Sequence, residues 1–189
     1  MRATGTLAAV ILLAAAATAG LAQPASPGTV TVTYTLHRIP RIASNQLAVW
    51  IEDAGGRHVR TLFATDFMAR RQGFRRRPQA CPAWVRASGL ESWSRERVDA
   101  VSAATQKPGP HNLEWDCTRA DGRPVPPGTY LYKVEGNIFW DKRVLWTGSI
   151  RVGGPPEDSA ATAEYLPDAS AAQEGRLVEE VAARFRPRR

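Results

Sequence analysis

The chain has few of the residues that most often carry chemistry. It holds two cysteines, three histidines and two methionines in 189 residues, and nothing at metal-ligand spacing stands beside either cysteine. His37, His58 and His111 are scattered singly along strand-like stretches, where a histidine without a partner reads as a surface or satisfied side chain. Asp53, Asp66 and Asp141 make no paired-carboxylate spacing, and Ser88, Ser92 and Ser94 lie outside any nucleophile-elbow pattern. A self-contained catalytic triad is therefore not expected. After the first two dozen residues no segment is apolar enough to cross a bilayer, which excludes an integral transporter or channel. Helix-turn-helix, zinc-finger and aromatic-platform patterns are absent too, and with them the usual routes to nucleic acid.

What is present begins with MRATGTLAAVILLAAAATAGLAQ. A single basic residue, Arg2, precedes an apolar run and the small residues Gly20 and Ala22, the layout of a signal peptide over residues 1–22. The alternative is a membrane anchor, but the run is alanine-dominated and of marginal length for a span. The mature chain is expected to be periplasmic or secreted, long enough for one core with extensions. In an oxidising compartment an even pair of cysteines reads first as a disulfide. A Cys81–Cys117 bridge would close a loop of 117 − 81 = 36 residues, adding roughly 3–4 kcal/mol if geometry permits.

The formal charge is +7, and its placement is uneven. MARRQGFRRRPQ, residues 68–79, holds Arg70, Arg71, Arg75, Arg76 and Arg77 with no acid among them. Such a cluster repels itself if packed, so a solvated loop or face is expected. It reads either as a solubilising loop or as a patch for acidic partners outside the cytoplasm: lipid phosphates, an acidic redox protein, or the phosphate of a cofactor.

Val30, Val32, Tyr34 and Leu36 alternate with threonines, and Leu47, Val49 and Ile51 alternate with Trp50 on the other face. Period-two patterning of branched and aromatic residues signals strands, and HVRTLF returns as a third after Gly55 and Gly56. The middle is helical in character. Pro82 opens PAWVRAS, Gly89 closes it, and SWSRERVDAVSAAT can start from a serine cap before Pro108, Gly109 and Pro110 stop any helix. Strand patterns resume at HNLEWDC, TYLYKVEGNIF and KRVLWTGSIRV. Six or seven strands with an inserted helical segment predict a mainly β, Ig-like antiparallel β-sandwich over residues 23–154, with a helical and basic insertion at about 64–108. Residues 155–189 read by composition as a flexible linker, in which Leu177, Val181 and Phe185 recur every four residues as in a short helix.

WDCTRADGRPVPPGTY, residues 115–130, combines a tight Asp121–Gly122 turn with prolines that enforce an extended approach to Tyr130. It resembles the hairpin of the Ig-like domain of flagellar hook-capping proteins, which implies a sandwich fold and says little about role. Cys117 stands where that hairpin usually has glycine, which suggests a hairpin used to hold a disulfide. Over residues 29–152, the order VTVTYTL, LAVWIEDAGGRHVRTL, DAVSAAT, KPGPHNLEWD and the proline hairpin is similar to an uncharacterised family of predicted periplasmic proteins. That resemblance implies partners among membrane-embedded redox proteins and flavin transferases.

DAVSAAT, residues 99–105, resembles the sequence recognised by the extracytoplasmic flavin transferase, which joins FMN through its phosphate to a threonine hydroxyl. The pattern is an acid, two variable residues, Ser or Thr, a small residue, Ala and Thr. Here those places are Asp99, Ser102, Ala103, Ala104 and Thr105, with Ala103 in place of the commoner glycine. The resemblance implies a covalent FMN at Thr105, with the flavin ring performing electron transfer and the protein supplying position. Two readings stand side by side: an exported FMN carrier, an accessory protein rather than a catalyst, or a cofactor-free Ig-like binding or assembly module of the envelope in which DAVSAAT ends a helix.

Overall fold

Alternation at the start of the domain builds a strand. In β1 (Gly28–Leu36), Val30, Val32, Tyr34 and Leu36 are buried while the threonines turn to the other face, as a period of two requires. The computed structural model describes residues 25–188, so the expected signal peptide over 1–22 lies outside the described residues. The further strands are β2 (Gln46–Asp53), β3 (His58–Thr65), β4 (Ser102–Ala103), β5 (Gly109–Trp115) and β6 (Gly128–Phe139). They continue with β7 (Lys142–Val152), β8 (Glu157–Ala160), β9 (Thr162–Leu166) and β10 (Val178–Pro187). Two sheets result, ordered β5-β1-β10-β8 and β4-β3-β2-β6-β7-β9. The fold is the expected mainly β sandwich. Strands pair antiparallel except β4, which adds to β3 in parallel through Ala64–Ser102 and Thr65–Ala103.

Between the sheets lies one core, to which β1 gives its alternating apolar residues, β2 gives Val49 and Ile51, β6 gives Tyr132 and Val134, and β10 gives Val181 and Phe185. The six-stranded sheet has a second buried face. Trp50 points away from Val49 and Ile51 and packs with Met68, Phe74, Cys81 and Trp84 beneath a layer of short helices. These are α1 (Asp66–Ala69), α2 (Gly73–Arg76), α3 (Pro82–Ser88) and α4 (Arg95–Asp99). Pro82 opens α3, Gly89 ends it at φ +63°, and Ser94 caps α4 by accepting from the Arg97 N–H, so the local stop and start signals act as expected. Each fully buried tryptophan contributes roughly 3 kcal/mol of apolar burial to holding this layer down.

Polar groups beneath the helices are paired. Glu135 of β6 is fully buried and accepts from the Trp84 and Ala83 N–H groups at 2.9 and 3.3 Å. Arg143 lies 3.3 Å from the same carboxylate, close enough for an ion pair, although its Nε–H makes no directed hydrogen bond there. Trp84 Nε1 donates to Thr61 Oγ1 at 2.9 Å, and His58 Nε2 lies 2.9 Å from that oxygen. Because Thr61 Oγ1 already accepts from the indole, its hydroxyl proton is free for a neutral imidazole. Burial pushes His58 down to about 4, which keeps the ring neutral.

Two expectations are corrected. The stretch expected as a flexible linker with a short helix is neither over its described residues 155–188: they supply β8, β9 and β10, and β10 lies between β1 and β8 in the middle of its sheet. A four-residue spacing of Leu177, Val181 and Phe185 satisfies a period of two as well as one of 3.6, and buried Ala183 completes the strand pattern. A bulge with Glu180 at φ +56° lets Val178 face inward as well. The Cys81–Cys117 disulfide is not formed, and both thiols are free and buried. Cys81 belongs to the core under the helices and Cys117 to the core between the sheets, so the six-stranded sheet separates them. Cys117 sits at φ +54°, the left-handed backbone that explains the glycine of similar hairpins. The hairpin is held instead by Trp115 Nε1 donating to the Thr118 carbonyl and the Tyr130 hydroxyl donating to the Pro126 carbonyl, both at 2.7 Å.

Candidate functional site

DAVSAAT is divided among three local structures. Asp99 ends α4, Ala100 and Val101 turn the chain, and Ser102–Ala103 form β4 on the edge of the six-stranded sheet. The Ala64 N–H donates to the Val101 carbonyl at 3.0 Å, which starts the parallel pairing. Helix therefore stops at Asp99, well before the Pro108 break, because the following residues find backbone partners on β3. Ala103 does not take a left-handed conformation, so alanine meets no conformational penalty where the resembling pattern prefers glycine.

Ala103, Ala104 and Thr105 are exposed. The residues after them are anchored: the Tyr34 hydroxyl donates to Gln106 Oε1 at 2.6 Å, and His111 Nε2 lies 2.7 Å from the Lys107 carbonyl. Burial raises the Tyr34 phenol to about 12, so it remains a donor throughout the physiological range. Thr105 is thus an exposed residue on a short segment fixed at both ends, by β4 before it and Gln106 behind it.

Two clefts meet at Thr105. One, of about 350 Å³, is lined by Arg38, Asn45, Gln46, Thr65 and Lys107 among others, a size at the lower end of small-ligand sites. The other, of about 400 Å³, runs past Asp66, Phe67, Arg70, Arg71 and Ala104. Ser102 Oγ is buried without a hydrogen-bond partner among the described residues. A wider concavity, about 1330 Å³, lies over the outer face of the four-stranded sheet and contains no residue of DAVSAAT. It is an open trough of exposed strand side chains, and Arg184 within it is already paired with Asp158.

The structure divides the arginine cluster. Arg70 joins the motif directly, with Nε 2.8 Å from Asp99 Oδ1 and Nη1 3.4 Å from Asp66 Oδ1. Arg71 pairs with Asp66 at 2.8 Å. Arg75 lies 5.4 Å over the Phe74 ring, and both it and Arg76 are exposed, as a solvated patch requires. Arg77 turns away and holds the fold, donating to the Ala43 carbonyl at 2.6 Å and to Asn137 Oδ1 at 2.5 Å. Sequence reasoning missed Arg38 and Lys107, which share the smaller cleft with Thr105 and make no ion pair among the described residues. No motif marks them; Lys107 follows Thr105 by two residues, and Arg38 joins them only because β1 pairs with β5 and so ends beside the segment after β4. It missed as well that Asp66 and Asp99 would neutralise Arg70 and Arg71.

The three histidines are each satisfied: His37 pairs with Glu179 at 2.9 Å, His58 with Thr61, and His111 with the Lys107 carbonyl. No cluster of metal-ligating side chains occurs among the described residues, and no helix among them is long and apolar enough to cross a membrane. Comparison with curated proteins and with solved structures finds no match. Residues 29–166 match a family described as predicted periplasmic protein (DUF2271), a span running from β1 through β9 and leaving out β10. By that match over most of its length, the chain belongs to this family of predicted periplasmic proteins.

Proposed function

We propose that the protein is a covalent FMN carrier with Thr105 as the attachment residue. The observation that carries this reading is the placement of Thr105: an exposed residue at the end of a motif similar to the flavin transferase recognition sequence, on an anchored segment between two clefts. β4 is an edge strand, and an edge is where another chain can pair its backbone. The exposed methyl groups of Ala103 and Ala104 leave room for the transferase to approach.

The residues present fit the group. Arg38 and Lys107, without an ion pair among the described residues, offer positive charge to a phosphodiester on the Thr105 side of the smaller cleft. Arg70 and Arg71 are less suited to the phosphate, because Asp66 and Asp99 already hold them. In this reading Arg70 fixes Asp99 and hence the start of the motif, while Arg71 holds Asp66 beside it. Attachment forms a bond from Thr105 Oγ to the flavin-side phosphorus of a flavin dinucleotide and breaks the bond from that phosphorus to the bridging oxygen. AMP leaves, and the threonine proton passes to a base of the transferase. Once attached, the flavin supplies one- and two-electron redox chemistry. The chain itself orients the phosphate and keeps the ring tethered to an exported protein, with a membrane redox protein as the electron partner.

Export of the protein in cells with and without an active flavin transferase tests the reading. A yellow protein is expected only with the transferase, and Thr105→Ala should be colourless while keeping its far-ultraviolet circular dichroism. A colourless native protein in the presence of the transferase would leave the cofactor-free envelope module as the account of this chain.

A further inference from the structure

Ile42 and Trp140 are the exposed large apolar side chains among the described residues, 88% and 51% accessible. Singly exposed apolar residues are common on proteins. These two, however, stand on adjoining loops, the segment between β1 and β2 and the β6–β7 turn, joined by the Trp140 N–H donating to the Ala43 carbonyl at 3.0 Å. Phe139, partly buried against the core, lies behind Trp140 with its ring centroid 6.3 Å away.

The protein holds this tip rigidly. Ala43 and Trp140 adopt left-handed backbone, φ +61° and +49°, which side chains other than glycine resist. Arg77 donates to the Ala43 carbonyl at 2.6 Å, Asn137 Nδ2 to the Trp140 carbonyl at 2.7 Å, and Asn45 Nδ2 to the Ile39 carbonyl at 2.7 Å. Such reinforcement over-determines two unfavourable turns whose outcome is to hold apolar side chains in water, a pattern that points to function.

Cations surround the tip. Arg41 and Lys142 flank it and share Glu174, and Arg143 pairs with buried Glu135. Arg38 of the tip loop and Arg76, next to the Arg77 that holds Ala43, are exposed and make no ion pair among the described residues, against the exposed acids Asp141 and Asp168 beside Lys142. An isoleucine and an interfacial tryptophan, with arginines behind them and a formal charge of +7 on the whole chain, complement a bilayer surface. The indole and aliphatic side chains enter the headgroup region and the cations meet lipid phosphates.

We infer that Ile42 and Trp140 form a membrane-docking tip that seats the protein on an anionic phospholipid surface. This does not depend on a cofactor at Thr105. The two features nevertheless share one end of the sandwich, since Arg38 and Ser44 of the tip loop line the smaller cleft beside Thr105, and docking brings Thr105 to the membrane side.

Flotation of the exported protein with phosphatidylglycerol-rich vesicles and with phosphatidylcholine vesicles at low salt tests the inference. Binding is expected on the anionic vesicles and about fivefold or more weaker on the neutral ones. Ile42→Ser with Trp140→Ser should weaken binding to the anionic vesicles about tenfold or more. Arg186→Gln, which removes a cation of the four-stranded sheet, and Thr105→Ala should bind as the native protein does. A second readout guards against misfolding of the double variant: brominated acyl chains should quench part of the native tryptophan fluorescence, and Trp140→Phe should abolish that part. Failure of the native protein to float with anionic vesicles, or equal flotation of the folded double variant, overturns the inference whatever the state of Thr105.

Discussion

Replacing Glu135 by glutamine is expected to give the fold a pH dependence between pH 4.5 and 6.5 that the Glu135 and His58 contributions cancel in the native protein. Burial pushes the Glu135 carboxyl up from 4.5 to about 7, against the lowering effect of the Trp84 and Ala83 N–H groups and Arg143. At 1.36 kcal/mol per pKa unit, the folded protein holds that proton more tightly than the unfolded chain by about 3 kcal/mol. This contribution is complete below pH 4.5 and is lost as pH rises through about 7. His58 acts in the opposite sense. Burial, with Arg97 nearby, brings its imidazole down from 6.5 to about 4. Its contribution, also about 3 kcal/mol, is complete above pH 6.5 and is lost as pH falls through about 4. Between pH 4.5 and 6.5 the two slopes cancel in the native protein. With Glu135→Gln the His58 slope stands alone, so the free energy of unfolding in urea should rise by about 2–3 kcal/mol across that window. With His58→Gln it should fall by a similar amount. Tryptophan fluorescence during urea unfolding at a series of pH values reads both. If native and Glu135→Gln proteins show the same slope, the assignment of a proton to buried Glu135 is wrong.

Three further outcomes follow from the packing. Cys81 and Cys117 should resist alkylation in the folded protein, because burial raises Cys117 to about 12 and Cys81 well above its ordinary value, and both should react in denaturant; a mass short by two hydrogens would show the disulfide after all. Gly148→Ala should destabilise the fold by roughly 1–3 kcal/mol, since its Cβ would come 2.2 Å from the Tyr132 ring; an unchanged urea midpoint would contradict the register of β6 and β7. Truncation before β10 should abolish cooperative unfolding, because that strand pairs with β1 and β8 and contributes Val178, Val181 and Phe185 to the core; a stable truncated protein would restore the linker reading.

Much of the sandwich could be read from local pattern. Val30 to Leu36 alternates apolar with polar residues, Leu47 to Ile51 is an apolar run buried on both faces of its sheet, and Gly89, Ser94 and Pro82 punctuate the helical layer at the places where chemistry demands it. What could not be read depended on partners distant in sequence. β10 carries glutamates and arginines on its open face and a bulge at Glu180, so composition hid a strand that β1 recruits. The cysteine pair was even and exported, yet pairing needs proximity, and the six-stranded sheet lies between the two thiols. At the candidate site the motif residues were visible, whereas the cleft beside Thr105 was not. Arg38 and Lys107 are 69 residues apart and come together only in the fold.

In the carrier reading the flavin hangs on a single oxygen atom, that of the Thr105 side chain. Trypsin cuts after Arg97 and Arg119 while Pro108 protects the bond after Lys107, so Thr105 is carried on a single peptide, Val98–Arg119. Tandem mass spectrometry of that peptide, from protein exported with an active flavin transferase, should find the mass of FMN joined as a phosphodiester and localise it to Thr105. The same peptide at its unmodified mass, with the transferase active on another substrate in the same cells, would contradict the account.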